Sequence, residues 1–105
     1  MKDEIQLASQ KEADMTQRTV EVRVEGRVQG VGFRQSTAYQ TRQFGLTGYA
    51  ENQADDSVKI VLQGESEAVD EVLQWLETGP PSATVTQVKT RELSDEQQWN
   101  GFLTR

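Results

Sequence analysis

The chain has 105 residues, 17 Asp plus Glu against 11 Lys plus Arg, a formal net charge of -6, and neither histidine nor cysteine. That length suffices for one domain with its own core; the missing cysteine excludes disulfides and thiolate chemistry, and the missing histidine excludes imidazole acid–base catalysis, His-activated nucleophiles and most zinc sites. An isoelectric point near 4.6 argues against a general nucleic-acid binder, which needs phosphate-neutralising cations gathered on one face.

Met1 to Arg18 is polar, with Ile5, Leu7, Ala8 and Met15 scattered through it. It reads as a disordered or loosely docked lead, a short amphipathic helix being the alternative, so the domain is expected to span residues 19–105. The lead lacks the basic-then-apolar build of a signal peptide, and no run approaches transmembrane length. A soluble, cytoplasmic protein with no membrane partner is expected. Thr19 to Arg27 then alternates, with Val20, Val22 and Val24 pointing one way and Glu21, Arg23 and Glu25 the other. That is a half-buried strand.

Gly26-Arg27-Val28-Gln29-Gly30-Val31-Gly32-Phe33-Arg34 follows, three glycines and two arginines between the strand and a helical pattern. Glycines let backbone N–H groups turn toward one point, a helix start adds free N–H groups and the positive end of its dipole, and an arginine supplies a planar charged fork. This is the composition of an anion cradle. It is neither of two familiar phosphate loops: Gly32 is followed by Phe33-Arg34 rather than Lys-Ser or Lys-Thr, and Gln35 stands where the dinucleotide fingerprint has its third glycine. From the residues alone, a tight strand-to-helix connection is the more common reading. Arg23, Arg27 and Arg34 together would make a local positive field despite the net charge.

Phe33 to Phe44 places Phe33, Thr37, Ala38, Thr41 and Phe44 on one helical face, with Gly45 as the stop. Thr47 to Asn52 and Val58 to Gln63 form a hairpin around Gln53 to Ser57, with Val58, Ile60 and Leu62 buried. Ser66 is placed as the N-cap of a second helix carrying Val69, Val72, Leu73 and Leu76 and closed by Gly79-Pro80-Pro81. Strand segments are expected at Ala83 to Arg91 and Phe102 to Arg105, joined by a polar loop through Ser94 to Gln98. Trp75 and Trp99 read as packing residues. The order strand, helix, strand, strand, helix, strand is the split βαβ, or ferredoxin-like, α+β arrangement: an antiparallel sheet, first and third strands central, two helices on one face. Asp55, Asp56, Glu65, Glu67 and Asp70 do not have the spacing of a calcium loop and fit a solvated turn and helix start.

Val24-Glu25-Gly26-Arg27-Val28-Gln29-Gly30-Val31-Gly32-Phe33-Arg34 closely resembles the signature of the acylphosphatase family, and Gly45-Leu46-Thr47-Gly48-Tyr49-Ala50-Glu51-Asn52 resembles its second signature. Trp75 to Ala83 and Phe102 to Arg105 look like the later landmarks, so the resemblance covers about residues 19–105. It implies a metal-free and cofactor-free hydrolase of carboxyl-phosphate anhydrides, acting as a monomer on a small acyl phosphate. By position, phosphate is held by Arg34 and the backbone N–H groups of Gln29, Gly30, Val31, Gly32, Phe33 and Arg34, and the attacking water is placed by Asn52. Three departures stand out: Asp55-Asp56-Ser57 where the family turn usually has Asp-Gly, Tyr49 for a frequent tryptophan, and Thr104 for an aliphatic residue. The first implies a positive φ at Asp56. Against the catalytic reading stand a non-catalytic anion-binding or regulatory module on the same fold and, disfavoured by charge, a nucleic-acid binder.

Overall fold

The computed structural model describes residues 17–94 and 97–105. The expected lead, up to residue 16, and two residues of the polar loop after Ser94 lie outside them. The elements are β1 (Gln17–Arg27), α1 (Phe33–Gln43), β2 (Thr47–Asn52), β3 (Val58–Glu65), α2 (Ser66–Leu76), β4 (Thr84–Leu93) and β5 (Phe102–Thr104). They form one five-stranded sheet in the order β4-β1-β3-β2-β5, with β1 and β3 side by side in the middle.

Four of the strands pair antiparallel, as expected, but β5 runs parallel to β2 and makes the sheet mixed. The reason is geometric. β4 and β2 point in opposite directions on opposite flanks of the central pair, and the chain reverses once after β4, so the segment arriving beside β2 points the same way as β2. β1 also begins at Gln17, two residues earlier than the alternation suggests, because Gln17 pairs with Glu65 and Arg18 with Gly64. Arg18 is gripped by Glu92 through Nη2 and Asp70 through Nη1, each at 2.7 Å, tying β1 to β4 and α2.

The core is the apolar side of the alternation. Val20, Val22, Val24, Val58, Ile60 and Leu62 are fully buried against Phe33 and Ala38 of α1 and Val69, Val72 and Leu76 of α2, each of the larger side chains stabilising the fold by about 1.5–3 kcal/mol. Leu73 is only partly buried at the edge of this cluster. Phe44, expected on the buried face of α1, is instead 40% exposed. The helix ends at Gln43, and Phe44 sits at φ -98°, ψ 7°, off the helical path that would have returned it to that face. Ser66 is the first residue of α2 rather than its cap: β3 stays paired through Glu65, whose extended backbone (φ -62°, ψ 139°) is the cap position and makes no side-chain capping bond.

The far face of the sheet is polar only in part. Gln63, 1% exposed, donates to Thr19 Oγ1 (3.0 Å) and to the Gln97 carbonyl (2.7 Å) and accepts the Trp99 N–H (3.3 Å). The chain entering β5 therefore lies across this face, and Trp99 meets Tyr49 with ring centroids 5.9 Å apart.

Candidate active site

The glycine-rich loop connects two buried anchors. Val28 and Phe33 are each 1% exposed, so both ends are fixed in the core while Gly30 and Gly32 stay at the surface. Gly30 and Gly32 each have φ 76°, a left-handed backbone that a side chain disfavours. A Cβ at either would meet nothing within 4 Å, so the space over them is open to a ligand. Gly32 is also the cap residue of α1 and has no side chain to satisfy the helix. Ser36 N–H, bonded to the Gly32 carbonyl at 3.0 Å, is the first in α1 with an acceptor; the N–H groups of Phe33, Arg34 and Gln35 precede it at the positive end of the dipole. Among the described residues, no protein acceptor faces the N–H groups of Gln29 to Gly32. A row of N–H groups without acceptors beside a helix start is an arrangement suited to an anion.

The loop is braced from beneath. Ser82 Oγ donates to the Val31 carbonyl at 2.8 Å. Gly79, at φ 70°, passes so close to Phe33 that a Cβ there would lie 2.9 Å from the ring. Trp75 packs on the same ring with centroids 6.1 Å apart.

Arg34, the second residue of α1, is half-buried, and its Nη1 donates to the main-chain oxygen of Arg105 at 2.5 Å. Arg105 in turn donates its N–H to the Ala50 carbonyl at 2.8 Å and lays its guanidinium 4.0 Å from the centre of the Tyr49 ring. Arg42 Nη2 bonds the Phe102 carbonyl at 2.8 Å, so two arginines pin α1 to β5 and the residue that follows it. These contacts bring Arg34 to the end of the sheet where β2 stops at Asn52, two residues past Ala50. Asn52 is exposed there, paired with Val58 across the hairpin mouth.

The hairpin is closed by Gln53 N–H to Ser57 carbonyl (2.8 Å) and Asp56 N–H to Gln53 carbonyl (3.2 Å). This is a three-residue loop that needs a left-handed residue at its end. Asp56 fills that place at φ 74°, the one non-glycine residue with positive φ among the described residues. Asp55 accepts Ser57 Oγ–H at 2.5 Å and Ser57 N–H at 3.1 Å, with Arg23 Nη1 at 3.3 Å. The Ser57 hydroxyl and amide, then Arg23, hold the Asp55 carboxyl below its ordinary value. Arg23 is thus spent on the turn rather than free to join Arg34. A neighbouring depression of about 290 Å³ is lined by Glu25, Asp55 and Asp56 and repels anions.

Two features had no signal in the pattern of residues. One is Arg105 as the acceptor that orients Arg34. The other is the Gln29 side chain, whose Nε2 reaches the carbonyls of both Gln53 and Ser57 at 2.9 Å.

The result is a two-layer α+β domain with N–H donors lacking acceptors at a helix start, an arginine beside them and an amide at the hairpin mouth, and no group of metal-ligating side chains among the described residues. Comparison with known proteins makes this specific. The acylphosphatase family model matches residues 20–104. An acylphosphatase of Paraburkholderia xenovorans is 46% identical over 91 residues, covering 85% of this chain and 94% of that protein. One from Chromohalobacter salexigens is 48% identical over 81 residues, covering 77% and 90%. The solved structure of an acylphosphatase from Coxiella burnetii superposes with a TM-score of 0.80 at 32% identity, covering 85% of this chain and 93% of that one. The chain belongs to the acylphosphatase family.

Proposed function

We propose that this chain, an acylphosphatase, hydrolyses carboxyl-phosphate anhydrides by holding the phosphoryl group in the glycine loop and aiming water at it from Asn52. The N–H groups of Gln29 to Arg34 and the Arg34 guanidinium take the phosphate oxygens. Asn52 orients the water in line with the bond to the acyl oxygen. Water attacks phosphorus, the P–O bond to the acyl group breaks, and a carboxylate leaves. Its conjugate acid has a pKa of about 4, so it departs without a proton donor and no histidine is missed. An amide is too weak a base to take the water's proton, which passes to a phosphate oxygen. What remains for the protein is position and charge.

The observation that supports this reading is the row of unsatisfied donors in a loop fixed at both ends, next to Arg34 and at the sheet end that carries Asn52. The reading has the chain act as a cytoplasmic monomer on a small molecule. Among the described residues no helix is long and apolar enough to cross a membrane.

Hydrolysis of benzoyl phosphate in excess chelator, with inorganic phosphate as competitor, tests it. Arg34→Ala should lose on the order of 10³ or more in turnover together with phosphate inhibition, and lysine should rescue poorly because a point charge does not reproduce the fork. Asn52→Ala should lose roughly 10² to 10³ in turnover with phosphate inhibition intact. Phosphate binding without turnover in the parent would favour the non-catalytic anion-binding module. Restoration of lost activity by a divalent ion would overturn the mechanism.

A further inference from the structure

We infer that the Gln29 side chain is a positioning residue for Asn52, setting the distance between the loop that takes the phosphoryl group and the amide that takes water; this rests on the assignment of Asn52 above. Gln29 Nε2 donates to the carbonyls of Gln53 and Ser57, both at 2.9 Å. Both partners are acceptors, so the amide nitrogen faces the turn and each of its two N–H groups has one carbonyl. Gln53 is the residue after Asn52, and Ser57 is the residue before Val58, which pairs with Asn52.

The turn does not need these bonds to be satisfied. The Ser57 carbonyl already receives Gln53 N–H at 2.8 Å and the Gln53 carbonyl receives Asp56 N–H at 3.2 Å. Removing Gln29 orphans neither oxygen, and the hairpin can close by itself. What the carboxamide adds is relational: it joins two segments 24 and 28 residues apart in the chain, one carrying the phosphate donors and the other ending in Asn52. No other hydrogen bond between the 28–34 loop and the hairpin turn is present among the described residues. The side chain thus acts on the gap between the two halves of the site. A reaction that depends on in-line geometry is sensitive to such a gap, a misplacement of about 1 Å costing up to about 10²-fold.

The substitution that isolates the bonds is Gln29→Met, which keeps length and bulk and removes both donors. Gln29→Asn, one methylene shorter, keeps a carboxamide out of reach of both carbonyls and serves as the second variant. For each, kcat, KM for benzoyl phosphate and inhibition by inorganic phosphate are measured in the parent and in the Asn52→Ala background, with thermal unfolding recorded alongside. In the parent background, kcat is expected to fall about 10-fold while phosphate inhibition moves less than about 3-fold, since only the water side is displaced. In the Asn52→Ala background the same change should cost less than about 2-fold, because nothing is left to misplace. An equal fall in both backgrounds means that Gln29 acts through general stability, and a parent-background kcat that does not fall means that it does not act at all; either overturns the inference alone. If Asn52→Ala itself turns over like the parent protein, the assignment of Asn52 fails and takes this inference with it.

Discussion

The two sides of the site are built differently. The side proposed to hold phosphate is part of the core: its loop is clamped between Val28 and Phe33, braced by Ser82 and Gly79, and continued by a helix pinned to β5 through Arg42 and to the residue after it through Arg34. The side proposed to place water is an exposed hairpin mouth, closed by two turn bonds, strained at Asp56 and, among the described residues, hydrogen-bonded to the loop only through Gln29. On the proposed assignment, binding and bond-breaking therefore have different exposures to damage. A lesion under the loop should lower stability and affinity together, whereas a lesion in the hairpin should reach the rate first.

The contrast can be sharpened by substitutions that touch one side at a time. Phe33→Ala removes the ring that supports the loop and meets Gly79 and Trp75, so it should destabilise the fold by about 3–5 kcal/mol and weaken phosphate inhibition in whatever fraction stays folded. Denaturant unfolding measures the first and competition kinetics the second. A Phe33→Ala protein with near-parent stability would mean that the loop is held by its own backbone. On the other side, Asp56→Gly should stabilise by up to about 1 kcal/mol, since glycine accepts φ 74° freely but adds entropy to the unfolded chain. A drop in the unfolding midpoint would place that residue's contribution in its side chain rather than its backbone. The smallest effect is acid sensitivity of the turn. Asp55 has its carboxyl pKa lowered on folding, so its contribution is present above the ordinary value of 3.8 and is lost as pH falls through the lower folded value. The stability gap between the parent and Asp55→Asn should be constant near neutrality and close below about pH 4. A gap that persists into strong acid would show that the carboxylate charge is not what holds the turn.

Periodicity made the core legible: the alternation at Val20, Val22 and Val24 and the helical spacing at Val69, Val72 and Leu76 each mark the face that is buried. The glycine-rich string was equally plain as a loop, because left-handed backbone at Gly30 and Gly32 is local in sequence, whereas Arg34 and Asn52 stood out only through the resemblance to the acylphosphatase family. Phe44 and Ser66 defeated local reasoning for one shared cause. Where an element ends is set by pairing and caps, so one residue of difference moved Phe44 off its face and made Ser66 a helical residue instead of a cap. The parallel β5 depends on which edge the chain reaches, which no window of residues encodes. Gln29 was singled out only for its backbone, since a side chain that reaches across to a turn 24 residues away leaves no periodic trace.

Each face of the sheet also carries its own indole. Trp75 lies against Phe33 under the glycine loop, and Trp99 lies against Tyr49, whose ring also meets the guanidinium of Arg105. With only two tryptophans in the chain, ultraviolet-excited emission divides along the same boundary. A Trp75→Phe protein should emit from the far face alone and a Trp99→Phe protein from beneath the glycine loop alone, so the pair separates a change under the loop from one across the sheet when an anion is added.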